Sequence, residues 1–252
     1  MRRVYIIFNL PFRDGVLQGH QDYDLTSLGG RQAAVTATRL RDVSFWQTHS
    51  SDLVRASRTA EIILAESDAD APGLKMSPLL REFALGVLED LPRGTSRSEA
   101  RRIKAERANV PLQDFKEPRP ETAYDVRERG RQFLKTLLKE AREARVLNSS
   151  SNGGRGEPVG QSNEEVRALI VSHGGFLYEM LANVLGLGEK VGLPSNCAVS
   201  IVEVHENEGY QERGDGEPQW SFVPRVINDF AHMVEAGLAT ANRVENLDVD
   251  EK

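Results

Sequence analysis

The sequence predicts an α/β fold: a single three-layer domain with a mostly parallel central sheet flanked by helices. Three observations predict it. Val4-Tyr5-Ile6-Ile7-Phe8 and Ala168-Leu169-Ile170-Val171 are short, continuous apolar runs, the pattern of strands covered on both faces. Helical patterns alternate with strand-like segments, as crossover connections in a parallel sheet require. The 252 residues, 39% hydrophobic and 28% charged, are enough for one large core, and no internal repeat divides them. The expected organisation is one domain over residues 1–252.

The first strand, Val4–Phe8, ends at Pro11 and the Arg13-Asp14-Gly15 turn. Thr26 is placed to cap a helix that carries Ala33, Ala37 and Leu40 on one face. Ser44–Ser50 reads as a second strand. Ser51 or Asp52 is expected to cap the next helix, where Ala56, Ala60 and Ile63 recur at helical spacing. Residues 67–75 read as loop and 76–94 as irregular, broken by Pro78 and Pro92. A short charged helix is expected over 96–107, then a proline-rich loop. A long helix follows from Thr122, with Thr122 and Asp125 at capping-box spacing and Val126, Phe133, Leu137 and Ala141 in its apolar stripe. Residues 148–165 are polar and rich in Gly and Ser, and read as a flexible surface insertion. The strand from Ala168 comes next, then Gly174-Gly175, a helix from Phe176 to Leu185, and strands at Ala198–Val204 and Trp220–Val226. The acidic tail from about residue 240 is expected to fray.

The net charge of −6 and the pI near 5.5 argue against general nucleic-acid binding, which needs a basic surface. They leave room for an anionic small molecule, because a few clustered arginines overcome a mildly negative whole. Cys197 is alone and forms no intrachain disulfide, which suits a reducing compartment. The apolar run after Met1-Arg2-Arg3 is too short for a signal-peptide core or a membrane span, so a cytoplasmic location is expected. No cofactor and no metal is expected, and oligomeric state is open.

Two segments carry the chemistry. In Ser50-Ser51-Asp52-Leu53-Val54-Arg55-Ala56-Ser57-Arg58-Thr59-Ala60, Arg55 follows a strand and a turn near a helix N-terminus. Its planar fork matches phosphate oxygens, and the helix start adds backbone N–H groups. In Leu169-Ile170-Val171-Ser172-His173-Gly174, His173 lies where a buried strand stops, the place where α/β proteins bind ligands. Gly174 lets a ligand approach the backbone closely. An isolated arginine or strand-end histidine is more often structural; these two gain weight from their shared context. Glu82, in Leu80-Arg81-Glu82, is a carboxylate whose position alone does not separate a catalytic from a surface role.

Together these segments resemble the histidine phosphatase superfamily, the phosphoglycerate-mutase-like enzymes. The likeness runs from Val4 to about Met233 and includes Gln18-Gly19 with Asp22, Leu25, Thr26 and Gly29, and Glu121-Thr122. Within the superfamily the sequence is most similar to the TIGAR-like fructose-2,6-bisphosphatases, through Ser50-Ser51-Asp52-Leu53 with Arg55, Gly86-Val87-Leu88-Glu89, the insertion before Ser172-His173-Gly174, and Asn196 with Ser200. The resemblance implies that Arg55 and Gly174 bind phosphate, that His173 contacts it, and that Glu82 is the general acid protonating a leaving group.

The same resemblance implies a nucleophilic histidine after the first strand, within Arg-His-Gly. Here the strand runs into Phe8-Asn9-Leu10. Asn9 occupies the nucleophile position, and an amide has no lone pair to carry a phosphoryl group stably. Phe8 replaces a phosphate-binding arginine and Leu10 a glycine, and the loop to Gln18 is shortened. Arg13 is left to supply part of the missing positive charge. Neither His20 nor His49 has the strand-end context to substitute. The linked changes read as a lost phosphate loop or as a mis-spliced first exon, which the transcript over codons 8–17 separates. Two functions are therefore expected: a phosphomonoester hydrolase by descent, impaired in catalysis, or a non-catalytic pseudophosphatase binding a phosphorylated ligand or a protein partner.

Overall fold

The computed structural model describes residues 2–8, 15–67, 72–151, 166–188, 191–192, 194–206 and 220–239, with backbone alone for 2–8 and 145–151. In chain order the elements are β1 (Arg2–Phe8), β2 (Val16–Leu17), α1 (Ser27–Leu40), β3 (Gln47–Ser51), α2 (Val54–Ala65), β4 (Leu74–Ser77), β5 (Leu91–Pro92) and α3 (Arg97–Arg107). Then come α4 (Ala123–Ser151), β6 (Val166–Ser172), α5 (Gly174–Tyr178, continuing as a π-helical turn through Val184), β7 (Val199–Glu206), β8 (Trp220–Asp229) and α6 (Ala231–Glu235).

Among the described residues the main sheet has six strands in the order β4-β3-β6-β1-β7-β8. The pairings β4–β3, β3–β6 and β6–β1 are parallel, and β7 and β8 add on antiparallel. The two apolar runs of the sequence are thus central neighbours. Side chains alternate across β6. Ala168 and Ile170 join Phe133, Leu137, Phe176 and Leu177 of α4 and α5 on one face. Leu169 and Val171 join Ala37, Leu40, Ala56 and Ile63 of α1 and α2 on the other. Each large aliphatic side chain buried this way contributes about 1.5–3 kcal/mol. This double coverage is why β6 reads as an unbroken apolar run rather than an alternating one.

Phe8 pairs with Ser172, Ser50 with Val171, and Ser51 with Ser77, so the parallel strands end along one edge. From β1 the chain proceeds toward β3, and from β6 it crosses to β7. The helices that follow these two neighbours, α1 after β1 and α5 after β6, pack on opposite faces of the sheet, and the carboxyl ends of such strands are where α/β folds bind ligands. Beside this edge, β2 and β5 form a two-stranded ribbon. With it packs a small apolar cluster of Val87, Leu91 and Ala100, backed by Ile103 and Phe115.

Several boundaries differ from the sequence reading. The strand expected from Ser44 begins at Gln47, and β8 extends to Asp229. β4 crosses the segment read as loop and irregular: Leu74-Lys75-Met76-Ser77 is a four-residue edge strand with Met76 exposed, too short to leave a periodic signal. Neither Ser51 nor Asp52 caps α2 as a helix cap does. Leu53 holds that position without a side-chain bond, and Asp22 Oδ1 reaches in to accept the Val54 N–H at 2.7 Å. The Thr26 cap and the Thr122–Asp125 capping box form as expected. Helix α4 runs to Ser151, through the start of the expected insertion; 152–165 and the tail from 240 lie outside the described residues.

Candidate active site

Arg55 stands in the first turn of α2, fully buried. Its Nη1 donates to the Gln21 carbonyl at 2.8 Å and its Nη2 to the Gly19 carbonyl at 2.9 Å. Burial lowers its pKa to about 10, opposed by the nearby carboxylates of Glu82, Asp22 and Glu89. The guanidinium therefore stays charged at neutral pH, a cation set beneath the strand edge.

His173 follows β6 directly and precedes α5, and its ring is fully buried. Neither ring nitrogen has a hydrogen-bond partner among the described residues. Burial, and then the charge of Arg55, hold its pKa well below the ordinary histidine value, so the imidazole is neutral at physiological pH. Buried polar atoms without partners cost about 1–3 kcal/mol each, and their persistence points to a ligand-facing role. Ser172 just before it is anchored, its Oγ donating to the Leu80 carbonyl at 2.6 Å.

Glu82 lies against the same helix start. Its Oε2 accepts the Gly175 N–H at 3.0 Å, and its Oε1 accepts those of Phe176 at 3.0 Å and Phe83 at 2.9 Å. A Cβ on Gly175 would stand 2.6 Å from Glu82 Oε1, so this close approach requires glycine. Gly174 is buried between His173 and this contact.

The strut behind Glu82 is Arg129 of α4, which sequence reasoning missed. Its Nη1 donates to the carbonyls of Leu79 (2.8 Å) and Arg81 (3.0 Å), and its Nη2 to that of Glu82 (3.2 Å). Nε and Nη2 also hold Glu121 at 2.7 and 2.9 Å, while Glu121 accepts the Ala84 N–H at 2.9 Å. The guanidinium lies 5.3 Å from the centre of the Phe176 ring. Arg81 in turn pairs with both oxygens of Asp52, at 2.7 and 2.6 Å. The one signal for this network was Glu121, eight residues ahead of Arg129 in the sequence.

His20 also borders the site. Its Nε2 lies 2.8 Å from the Glu82 carbonyl, and its N–H donates to Glu89 Oε1 at 3.0 Å. Glu89 also accepts from the Leu85 N–H and from Gln21 Nε2, both at 2.9 Å. Gly19 adopts φ +54°, and a Cβ there would fall 2.4 Å from Glu89 Oε1, which fixes glycine before His20. A cleft of about 310 Å³ opens here, lined by His20, Gln21, Val87, Lys104, Phe115 and Arg119 among others. His49 belongs elsewhere: it packs edge-on against Phe133 at 5.2 Å and bonds Gln47.

The structure thus brings Arg55, His173, Gly174 and Glu82 to one edge, with Arg55 electrostatically coupled to both His173 and Glu82. Asn9 and Arg13 lie outside the described residues. Among the described residues, no group of three or more His, Cys, Asp or Glu side chains could hold a metal, and no helix is long and apolar enough to cross a membrane.

A family model described as histidine phosphatase superfamily, branch 1, matches residues 11–153. The chain is 35% identical to fructose-2,6-bisphosphatase TIGAR B of Danio rerio over 175 residues, spanning 66% of this chain and 66% of that one. It is 31% identical to the probable phosphoglycerate mutase GpmB of Yersinia enterocolitica over 196 residues, 76% of this chain and 78% of the relative. Among solved structures, a mycobacterial glucosyl-3-phosphoglycerate phosphatase complexed with inorganic phosphate superposes with a TM-score of 0.57 at 21% identity. The match covers 92% of this chain and 99% of that one and shows a shared fold.

Proposed function

The chain belongs to the histidine phosphatase superfamily, and on that footing we propose that it is a phosphomonoester hydrolase by descent, binding a phosphorylated small molecule such as a sugar bisphosphate and turning it over poorly. One observation carries the binding half: His173, fully buried, with neither ring nitrogen partnered among the described residues, coupled to the buried cation of Arg55. A phosphate at this edge would meet a charged fork from Arg55 and a neutral imidazole able to donate one hydrogen bond and accept another. The relatives named for fructose-2,6-bisphosphatase and phosphoglycerate mutase act on phosphorylated small molecules, which supports this ligand class.

The sequence carries the other half. Phe8 pairs with Ser172, so Asn9 follows β1 as His173 follows β6. A covalent phosphoryl acceptor is expected at that position, and an amide cannot serve. Loss of such a nucleophile costs on the order of 10⁶ in rate. Phe8 also removes a charge-assisted clamp worth about 1.5–3 kcal/mol. In this reading Arg55, Gly174 and Arg13 bind phosphate, His173 contacts it, and Glu82 keeps the acid position. A second reading, a pseudophosphatase that binds a phosphorylated ligand or a protein partner without chemistry, draws on Glu82. Both its oxygens are committed to main-chain N–H groups.

The test is hydrolysis of p-nitrophenyl phosphate alongside binding of inorganic phosphate followed by ³¹P NMR. The wild type should bind phosphate, form no phosphohistidine and release negligible p-nitrophenol. Asn9→His alone should restore little; Phe8→Arg, Asn9→His and Leu10→Gly together, in a lengthened loop, should restore measurable turnover. Robust wild-type hydrolysis surviving His173→Ala would overturn the site. Robust hydrolysis lost in both Arg55→Ala and His173→Ala would keep the site and overturn the impairment.

A further inference from the structure

We propose that His20 is a ligand-contacting residue, receiving the alcohol portion of a compact phosphomonoester in the cleft beside Arg55. The proposal rests on the binding reading above and adds where the rest of the ligand lies. His20 is held at several points, and Glu121 Oε2 stands 3.8 Å from its Nε2. The carbonyls flanking it, of Gly19 and Gln21, are both bonded to Arg55, so the residue rides on the buried cation. Its own N–H is tied to Glu89. The Glu82 carbonyl can only accept, so His20 Nε2 is the donor in that 2.8 Å bond. Nδ1 is then the ring atom left over, with no hydrogen-bond partner among the described residues.

The cleft gives that atom something to meet. His20 lines it, opposite apolar surface from Val87, Phe115 and Pro118 and the ammonium-bearing Lys104. Its volume of about 310 Å³ is at the small end of ligand pockets, about 300–1,000 Å³. The bonds from Arg55 to the Gly19 and Gln21 carbonyls set the cleft beside the proposed phosphate edge. A phosphomonoester bound with its phosphoryl group at Arg55 and His173 would direct a hydroxyl-bearing carbon skeleton past His20, whose Nδ1 would hydrogen-bond a hydroxyl.

Two probes separate this contact from a structural one: inorganic phosphate, which has no alcohol portion, and glycerol 3-phosphate, which does. His20→Gln keeps an N–H donor for the Glu82 carbonyl and removes the imidazole Nδ1. In this variant phosphate affinity should stay within about twofold, while glycerol 3-phosphate should weaken by about five- to tenfold, the loss of one hydrogen bond. His20→Ala should weaken the ester at least as much. Full ester affinity in His20→Gln, or equal losses for both probes, would overturn the contact and leave His20 as a brace for Glu82. If the wild type binds neither probe, the binding reading itself fails, an outcome distinct from the first two.

Discussion

His173 and His232 are both shielded histidines whose pKa is held down by burial and by a neighbouring arginine, yet they are opposites in every other respect. His232, on α6, is satisfied at both nitrogens: Arg39 Nη1 donates to Nδ1 at 2.8 Å, and Nε2 donates to the Cys197 carbonyl at 3.2 Å. Arg39 is itself neutralised by Asp229 at 2.6 Å. His173 has no such partner among the described residues, and the cation near it, Arg55, donates to the main-chain carbonyls of Gln21 and Gly19. The first arrangement is how a fold accommodates a buried imidazole at low cost. The second leaves the cost standing, and it does so at the strand edge where α/β proteins bind ligands. What separates a structural histidine from a ligand-facing one is therefore where its hydrogen bonds go; a lowered pKa is common to both.

The largest expected effect tests Arg55. Arg55→Ala orphans two carbonyls, leaves Glu82, Asp22 and Glu89 without their shared cation, and opens a cavity. It should cost about 3 kcal/mol or more and lower the melting temperature by roughly 6–12 °C. Calorimetry checks this, and an unchanged melting temperature would mean that Arg55 serves the ligand alone. The histidines should then divide. His232→Ala breaks satisfied bonds and should destabilise by about 1–3 kcal/mol in urea unfolding. His173→Ala deletes atoms that were already unpaired, which offsets its cavity; its change should be within about 1 kcal/mol while phosphate binding is lost. Equal destabilisation by the two would erase the distinction.

The acid arm of stability carries the comparison to the pH axis. His49 and His232 have folded pKa values lowered to about 4, and His173 is shifted the same way. Between pH 6.5 and about 4 the unfolded chain binds protons that the folded one refuses. Stability should therefore fall as pH drops through this window, by at most about 1.4 kcal/mol per unit for each histidine. Half-exposed His232 should give less, because solvent screens it. Urea titrations at pH 7, 5.5 and 4.5 measure the slope, and His49→Phe should flatten it. A slope unchanged in that variant would remove His49 from the account.

The sheet was legible in the sequence because β6 is apolar on both faces, and a strand buried that way leaves no other reading. β4 and β5 were not legible: two to four residues at a sheet edge carry no period. Arg55 and His173 were legible because each follows a strand end. Arg129 was not, because it works through the carbonyls of Leu79, Arg81 and Glu82, some 50 residues earlier in the chain. Asp22 escaped for the same reason, capping a helix 32 residues away. Side chains that serve distant main chain leave no local pattern. His20 left no signal for its place in the cleft; that place depends on Glu82 and Glu89, which only the fold brings near.

The pairing of β1 has a consequence for synthesis. Its two partners in the sheet are β6 and β7, which end at Ser172 and Glu206. A ribosome moving at about 5–20 residues per second makes β1 and then needs roughly 10–40 s to deliver both neighbours. For that interval Val4-Tyr5-Ile6-Ile7-Phe8 is an apolar strand without a sheet, the kind of segment that pairs with other chains when left open. The nascent chain is thus exposed to aggregation at β1, and a chaperone that binds short apolar segments would find a target there.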